Sequence, residues 1–161
     1  MHTKKLGTYG EMAVATYLYK QGYSVFIELG DISRIDLIVE TNTRLLKIQV
    51  KAVSIKDGKY TVSGKKSGPN YQFCYTEEDV DVFAVFCVED QKIAWLNSVE
   101  LSDGKCITLR VNQAKNGQMK SVRLLDEYTS FERILRDYTQ DTPPTNVEGN
   151  DIVQTTTEKS G

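Results

Sequence analysis

The chain has 161 residues, 40 % of them hydrophobic and 26 % charged, and a formal net charge of −2. That length supports one domain with its own core, and that charge argues against a protein that coats polyanions indiscriminately. With His2 as the single histidine and with Cys74, Cys87 and Cys106 lacking any C-x-x-C spacing, zinc centres and histidine-based hydrolysis are not expected.

In chain order, the first element is a helix from about Lys5 to Gln21. Ala13, Val14, Tyr17 and Leu18 form its apolar stripe, and Gly22 is its natural stop. Gly7 and Gly10 weaken its first turns; they serve either close packing or the approach of a phosphate. Tyr23–Leu29 reads as a strand and Gly30-Asp31-Ile32-Ser33 as a loop. From Arg34 to Val53, Ile35, Leu37 and Val39, then Leu46, Ile48 and Val50, alternate with polar neighbours on either side of Thr41-Asn42-Thr43-Arg44. This predicts two antiparallel strands. Closure between Glu40 and Leu45 puts Asp36 opposite Gln49, with Cβ atoms roughly 4.5–5.5 Å apart. Arg34, Asp36, Lys47, Gln49 and Lys51 then share one face, and aliphatic residues the other.

The second strand is expected to run to Lys56, turn at Asp57-Gly58 and return through Lys59–Ser63. Ser63–Asn70 reads as a loop by composition. It carries Lys65 and Lys66, either as phosphate contacts or as solvated charges. Asp81–Val88 is the most continuously apolar run, a central strand buried on both faces. Glu77, Glu78 and Asp79 before it read as a charged turn rather than as metal ligands. Gln91–Asn97 is a further strand with Trp95 as a packing residue; Cys74 and Cys87 read as reduced packing residues too. Cys106–Leu125 is predicted to be a hairpin turning at Asn116-Gly117, with Arg110, Lys115, Lys120 and Arg123 and no acid. Such a ribbon either enters a DNA major groove or faces solvent. Thr129 and Glu132 fit a capping box for a last helix packed through Phe131, Ile134 and Leu135. The domain is therefore set at residues 1–138. From Thr139 onward four acids stand against one lysine, which reads as a solvated acidic tail. No apolar run has the length of a membrane span and no leader pattern opens the chain, so a cytoplasmic location is expected.

A carboxylate, a second oxygen ligand and a lysine on one sheet face make a chemical constellation. Hard cations take oxygen ligands and keep several waters, a bound metal makes a nucleophile of its water, and an ammonium offsets developing phosphoryl charge. D-L-I-V followed by I-Q-V-K resembles the core of the PD-(D/E)XK nuclease superfamily. The opening helix G-E-M-A-V-A-T-Y-L, the loop G-D-I-S-R-I-D-L and the later Y-T-E-E-D-V-D-V-F are similar to the cyanobacterial group I intron homing endonucleases of that superfamily, over roughly Leu6–Phe86. The resemblance implies an α/β restriction-endonuclease-like core, a mixed sheet flanked by helices. It implies an endonuclease that cuts double-stranded DNA with Mg²⁺ or another divalent cation such as Mn²⁺. Asp36 and the Val50 carbonyl would hold metal, Gln49 would ligate or orient, and Lys51 would position the water.

Gln49 departs from the pattern, standing where the superfamily has Asp or Glu. The homing branch tolerates Gln there with an extra acid from the first helix, and Glu11 fits that supply. It shares a helical stripe with Val14, Ala15 and Leu18, so it points inward, which is costly unless it is paired or metal-bound; the other reading is a first-turn acid favouring the helix dipole. Arg34 is either a phosphate contact or a surface arginine. Cutting both strands needs two sites, so a symmetric homo-oligomer is expected, and the resemblance implies a tetramer with a long recognition sequence. Two other functions stay open: a structure-specific repair nuclease such as a junction resolvase, and a non-catalytic DNA-binding module. A nucleotide-phosphate enzyme is disfavoured, because no phosphate-loop or dinucleotide fingerprint follows a strand.

Overall fold

The computed structural model describes residues 3–28, 33–112 and 122–139. Helix α1 (Thr3–Lys20) ends where expected. Gly22 takes φ +91°, and Tyr23 N–H reaches back to the Leu18 carbonyl at 3.2 Å, the left-handed stop that glycine allows. A five-stranded mixed sheet follows, ordered β1-β2-β3-β7-β8. Its strands are β1 (Ser24–Ile27), β2 (Leu37–Glu40), β3 (Leu45–Val53), β7 (Val82–Cys87) and β8 (Lys92–Asn97). β1, β2 and β3 pair antiparallel, β3 and β7 pair parallel, and β7 and β8 antiparallel. The β2–β3 register is the expected one, with Glu40 opposite Leu45 and Leu37 opposite Ile48.

β7 is flanked on both sides and every one of its residues is buried, as its unbroken apolar run requires. Val82, Ala84 and Phe86 face a core made with Val14 and Leu18 of α1, Leu46, Ile48 and Val50 of β3, and Phe131 and Ile134 at the last helix, α3 (Glu132–Thr139). Phe83, Val85 and Cys87 face a second core. This is closed by a short helix α2 (Ser98–Leu101) and a three-stranded sheet of β4 (Lys59–Ser63), β9 (Cys106–Arg110) and β10 (Arg123–Leu124). Helices thus flank the main sheet, with a small sheet added on one side. Trp95 lies in the first core against Tyr17 and Phe131. α1 sits close on β3. A Cβ at Gly10 would lie 3.1 Å from Ala52 Cβ and 3.5 Å from Phe86 Cβ, so packing rather than phosphate access explains that glycine.

Several expectations are corrected. The Asp57-Gly58 turn forms with φ of 50° and 69°, joined by Lys56 and Lys59 hydrogen bonds of 2.8 and 3.0 Å. The returning strand β4, however, leaves for the second sheet and pairs with β9. Ser63–Asn70 is not a loop. Lys65–Gly68 is strand β5, paired antiparallel with β6 (Tyr71–Cys74). Its glycines answer neighbours rather than turns: a Cβ at Gly64 would strike the Leu101 carbonyl oxygen, and one at Gly68 the Tyr71 ring. Cys106–Leu125 is not an antiparallel hairpin either, since β10 runs parallel to β9, Arg123 beside Leu109. The capping box is at Asn97 and Glu100, opening α2, whereas the Thr129 hydroxyl donates to the Asp126 carbonyl. Cys106 is exposed. The predicted loop at Gly30–Ile32, the turn at Asn116-Gly117, Lys115, Lys120 and the acidic tail lie outside the described residues.

Candidate active site

The β2–β3 ladder ends where Asp36 N–H donates to the Ile48 carbonyl at 2.9 Å, but β3 continues to Val53. Along a strand, alternate residues turn their N–H and C=O to the same side, so Val50 presents both groups to a side from which β2 has already departed. A backbone group left there without a partner is costly when buried. The Asp36 side chain takes the place of the missing strand: its Oδ2 accepts the Val50 N–H at 2.6 Å and the Gln49 side-chain amide. That same Gln49 nitrogen donates to the Val50 carbonyl at 3.1 Å. One amide nitrogen therefore sits between a carboxylate oxygen and a backbone oxygen, and both bonds to Asp36 fall on Oδ2.

A cleft of about 370 Å³ opens at this edge, lined by Asp36, Gln49, Val50 and Lys51 from the sheet side. From α1 it receives Lys4, Thr8 and Glu11, a stripe at helical spacing. Lys66 and Tyr75 close it. The Lys51 ammonium lies 4.4 Å above the Tyr75 ring and donates to the Lys65 carbonyl at 3.3 Å; it is not sealed in the apolar interior. Burial pushes the Asp36 carboxyl up to about 6, against the pull of the Val50 N–H, with Glu11's like charge adding to the rise and Lys66 and Lys51 opposing it. Burial likewise pulls Lys51 down to about 8 despite the attraction of Asp36. Three acids (Asp36, Glu11 and Glu28) and three lysines (Lys4, Lys51 and Lys66) thus line one cleft, and Asp36 and Lys51 are partly desolvated in it, the setting in which protonation states are tuned for chemistry.

The donor set suits a hard cation. The Asp36 carboxylate and the Val50 carbonyl already converge on one electropositive partner, and Glu11 lines the same cleft. Among the described residues no group of three or more His, Cys, Asp and Glu forms. An ion held here would keep water ligands, as Mg²⁺ does.

The other sequence candidates are placed less centrally. Arg34 pairs with Asp79 at 2.7 Å and stacks on Phe73 at 4.5 Å, so its guanidinium is engaged. Lys66 lines the cleft and Lys65 stands exposed beside it. Arg110 and Arg123 lie on the neighbouring strands β9 and β10 and do not line the cleft. Sequence reasoning missed Lys4, Thr8 and Tyr75. The first two share Glu11's helical spacing and were findable from it; Tyr75 carries no motif. The Tyr75 hydroxyl is buried with no hydrogen-bond partner among the described residues, and burial followed by the charge of Asp36 drives its pKa upward, so it stays protonated.

A family model described as PD-(D/E)XK endonuclease matches residues 1–131. Among solved structures, that of a bacterial homing endonuclease, I-Ssp6803I, superposes with a TM-score of 0.68 at 22 % identity, covering 88 % of this chain and 98 % of that one. At that identity the likeness establishes the fold. Comparison with curated proteins returns no match.

Proposed function

The chain belongs to the PD-(D/E)XK endonuclease family, and on that premise we propose that it is a sequence-specific endonuclease of the homing type that cuts both strands of duplex DNA with Mg²⁺ or Mn²⁺. The observation that carries this reading is the meeting of Asp36, Gln49, the Val50 carbonyl and Lys51 at one strand edge, with Glu11 brought to the same cleft by α1. Asp36, Glu11 and the Val50 carbonyl would hold the cation, which when bound supplies charge stabilisation and an acidified water. Gln49 orients Asp36 and the carbonyl through its amide. Lys51, raised above the Tyr75 ring, positions the attacking water and faces the charge gathering on the phosphoryl oxygens. Water oxygen adds to phosphorus and gives up one proton to solvent, the bond from phosphorus to the departing sugar oxygen breaks, and that oxygen takes up a proton from solvent.

The family match ends near the start of α3, whose Ile134 is in the core, which supports a nuclease domain over residues 1–138 followed by a tail. The likeness to a homing endonuclease over nearly its whole length supports the homing reading, and with it an intron-borne gene and a tetramer in which paired sites address the two strands. No helix among the described residues is long and apolar enough to cross a membrane; a nuclease acting on DNA would work in the cytoplasm.

The test is divalent-dependent cleavage of a duplex library alongside four-way junctions of varied sequence. Cutting of linear duplex at one sequence, abolished by Asp36→Ala while DNA binding persists, is the expected result. Cutting confined to junctions would transfer the protein to structure-specific repair, and binding without any cutting would make it a non-catalytic module.

A further inference from the structure

Among the described residues β5 and β6 pair only with each other. A two-stranded hairpin is marginal in water by itself, and this one is held at its base. Gly64 N–H donates to the Lys105 carbonyl and the Gly64 carbonyl accepts the Tyr75 N–H, each at 2.9 Å, while the inward face sets Phe73 against Tyr75 and Arg34. The outward face is different. The register puts Lys65, Ser67, Gln72 and the half-buried Cys74 on one side of the ribbon; Lys65 and Cys74 at its base flank Gly104, while Lys65, Ser67 and Gln72 are exposed, as is Asn70 at the tip. Every exposed residue of this face is a hydrogen-bonding one, and no acid occurs between Gly58 and Thr76. The ribbon also begins at the active site, since the Lys65 carbonyl accepts from Lys51 and the next residue, Lys66, lines the cleft.

From this placement we propose that the β5–β6 ribbon lies in the DNA major groove beside the scissile phosphate, with Gln72, Ser67 and Lys65 reading base edges. A major groove admits a two-stranded ribbon, Gln pairs with adenine through two hydrogen bonds, Lys contacts guanine, and Ser contacts either. Lys66, on the opposite face, turns to the cleft where the backbone passes. The inference rests on the nuclease reading and deepens it by naming what selects the sequence.

The experiment selects preferred sites from a randomised duplex pool, using cleavage-deficient Asp36→Asn protein, with and without Ser67→Ala and Gln72→Ala together. Both side chains are exposed, so the melting temperature should match that of the parent; circular dichroism checks this. Expected is a loss of preference, about tenfold per base pair, the order of discrimination that one bidentate contact supplies, at a few adjacent positions flanking the cut. Preference at the remaining positions should persist. An unchanged preference at every position would overturn the ribbon's role and leave the nuclease standing. So would a parent that binds and cuts DNA with no sequence preference. A parent that neither binds nor cuts DNA would remove both readings.

Discussion

Asp36 and Asp81 do the same thing for the backbone and opposite things for charge. Each immediately precedes a strand flanking β3, and each accepts an N–H from β3: Val50 at 2.6 Å for Asp36, Lys47 at 2.7 Å for Asp81. Around Asp81 every charge is met from within. The Arg44 guanidinium lies 3.3 Å from its other oxygen, its own N–H returns to the Lys47 carbonyl, and Arg44 is itself braced over the Tyr138 ring. Asp36 is bonded to a neutral amide instead, and stands in the opposing fields of a second carboxylate, Glu11, and of the Lys66 and Lys51 ammonium groups. A carboxylate spliced into a strand edge is a staple where a guanidinium of the protein faces its free oxygen, as at Asp81; on the function proposed above, the same splice at Asp36 would serve as a seat for a divalent cation.

That contrast can be broken most severely at Asp36. Asp36→Asn keeps an oxygen for Val50 but removes the charge, so cleavage in single-turnover assays should fall by about 10³-fold, the scale of losing a principal electrostatic contact, with little change in melting temperature. Lys51→Ala should lower the rate by about 10²-fold with duplex binding retained, as separate rate and binding titrations would show. Asp81→Ala should behave inversely: the Lys47 N–H loses its partner and stability drops by about 1–3 kcal/mol in urea unfolding, while the folded fraction still cuts.

Acidity sharpens the same comparison. Asp36 holds its proton more tightly folded than unfolded, its pKa rising from 3.8 to about 6. Folding is therefore favoured below the unfolded value, and that advantage is lost as pH rises through about 6. Without divalent cations, the unfolding free energy should fall between these values by about 3 kcal/mol at most. Asp36→Asn should flatten the curve, and added Mg²⁺ should stabilise more as pH rises, because the ion takes the proton's place. Smallest of all, Arg44→Ala at the exposed end of the Asp81 pair should cost about 0.5–1 kcal/mol, measured by denaturant midpoint, with no effect on cutting.

The β2–β3 edge and the side chains it gathers were legible because alternation fixes both face and register: a slip of one residue would have turned Leu37, Val39, Leu46 and Ile48 outward. β7 was legible for a similar reason, having no polar position to spare. The β5–β6 ribbon was hidden because Gly64, Ser67, Gly68 and Pro69 carry loop chemistry. Only the approach of the Leu101 carbonyl and the Tyr71 ring reveals why glycine stands at position 64, between two strands, and at position 68, inside one. The parallel contact of β10 with β9 depends on where the chain returns, which local pattern does not encode. Thr129 and Glu132 had the spacing of a capping box, but that hydroxyl was claimed by the Asp126 carbonyl. Local motifs survived where nothing nearby competed for the same atoms.

Gly10 has a bearing on the chemistry that its small size conceals. Because bare backbone rests 3.1 Å, measured to its notional Cβ, from Ala52, the helix cannot float over the sheet, and the following residue, Glu11, is delivered at a set height. Position 10 works as a caliper for the carboxylate beside it. A methyl added there would have to push Ala52 or the helix aside by a few tenths of an ångström, and on the proposed function Gly10→Ala should lower cleavage through the height of Glu11 rather than through any contact with phosphate.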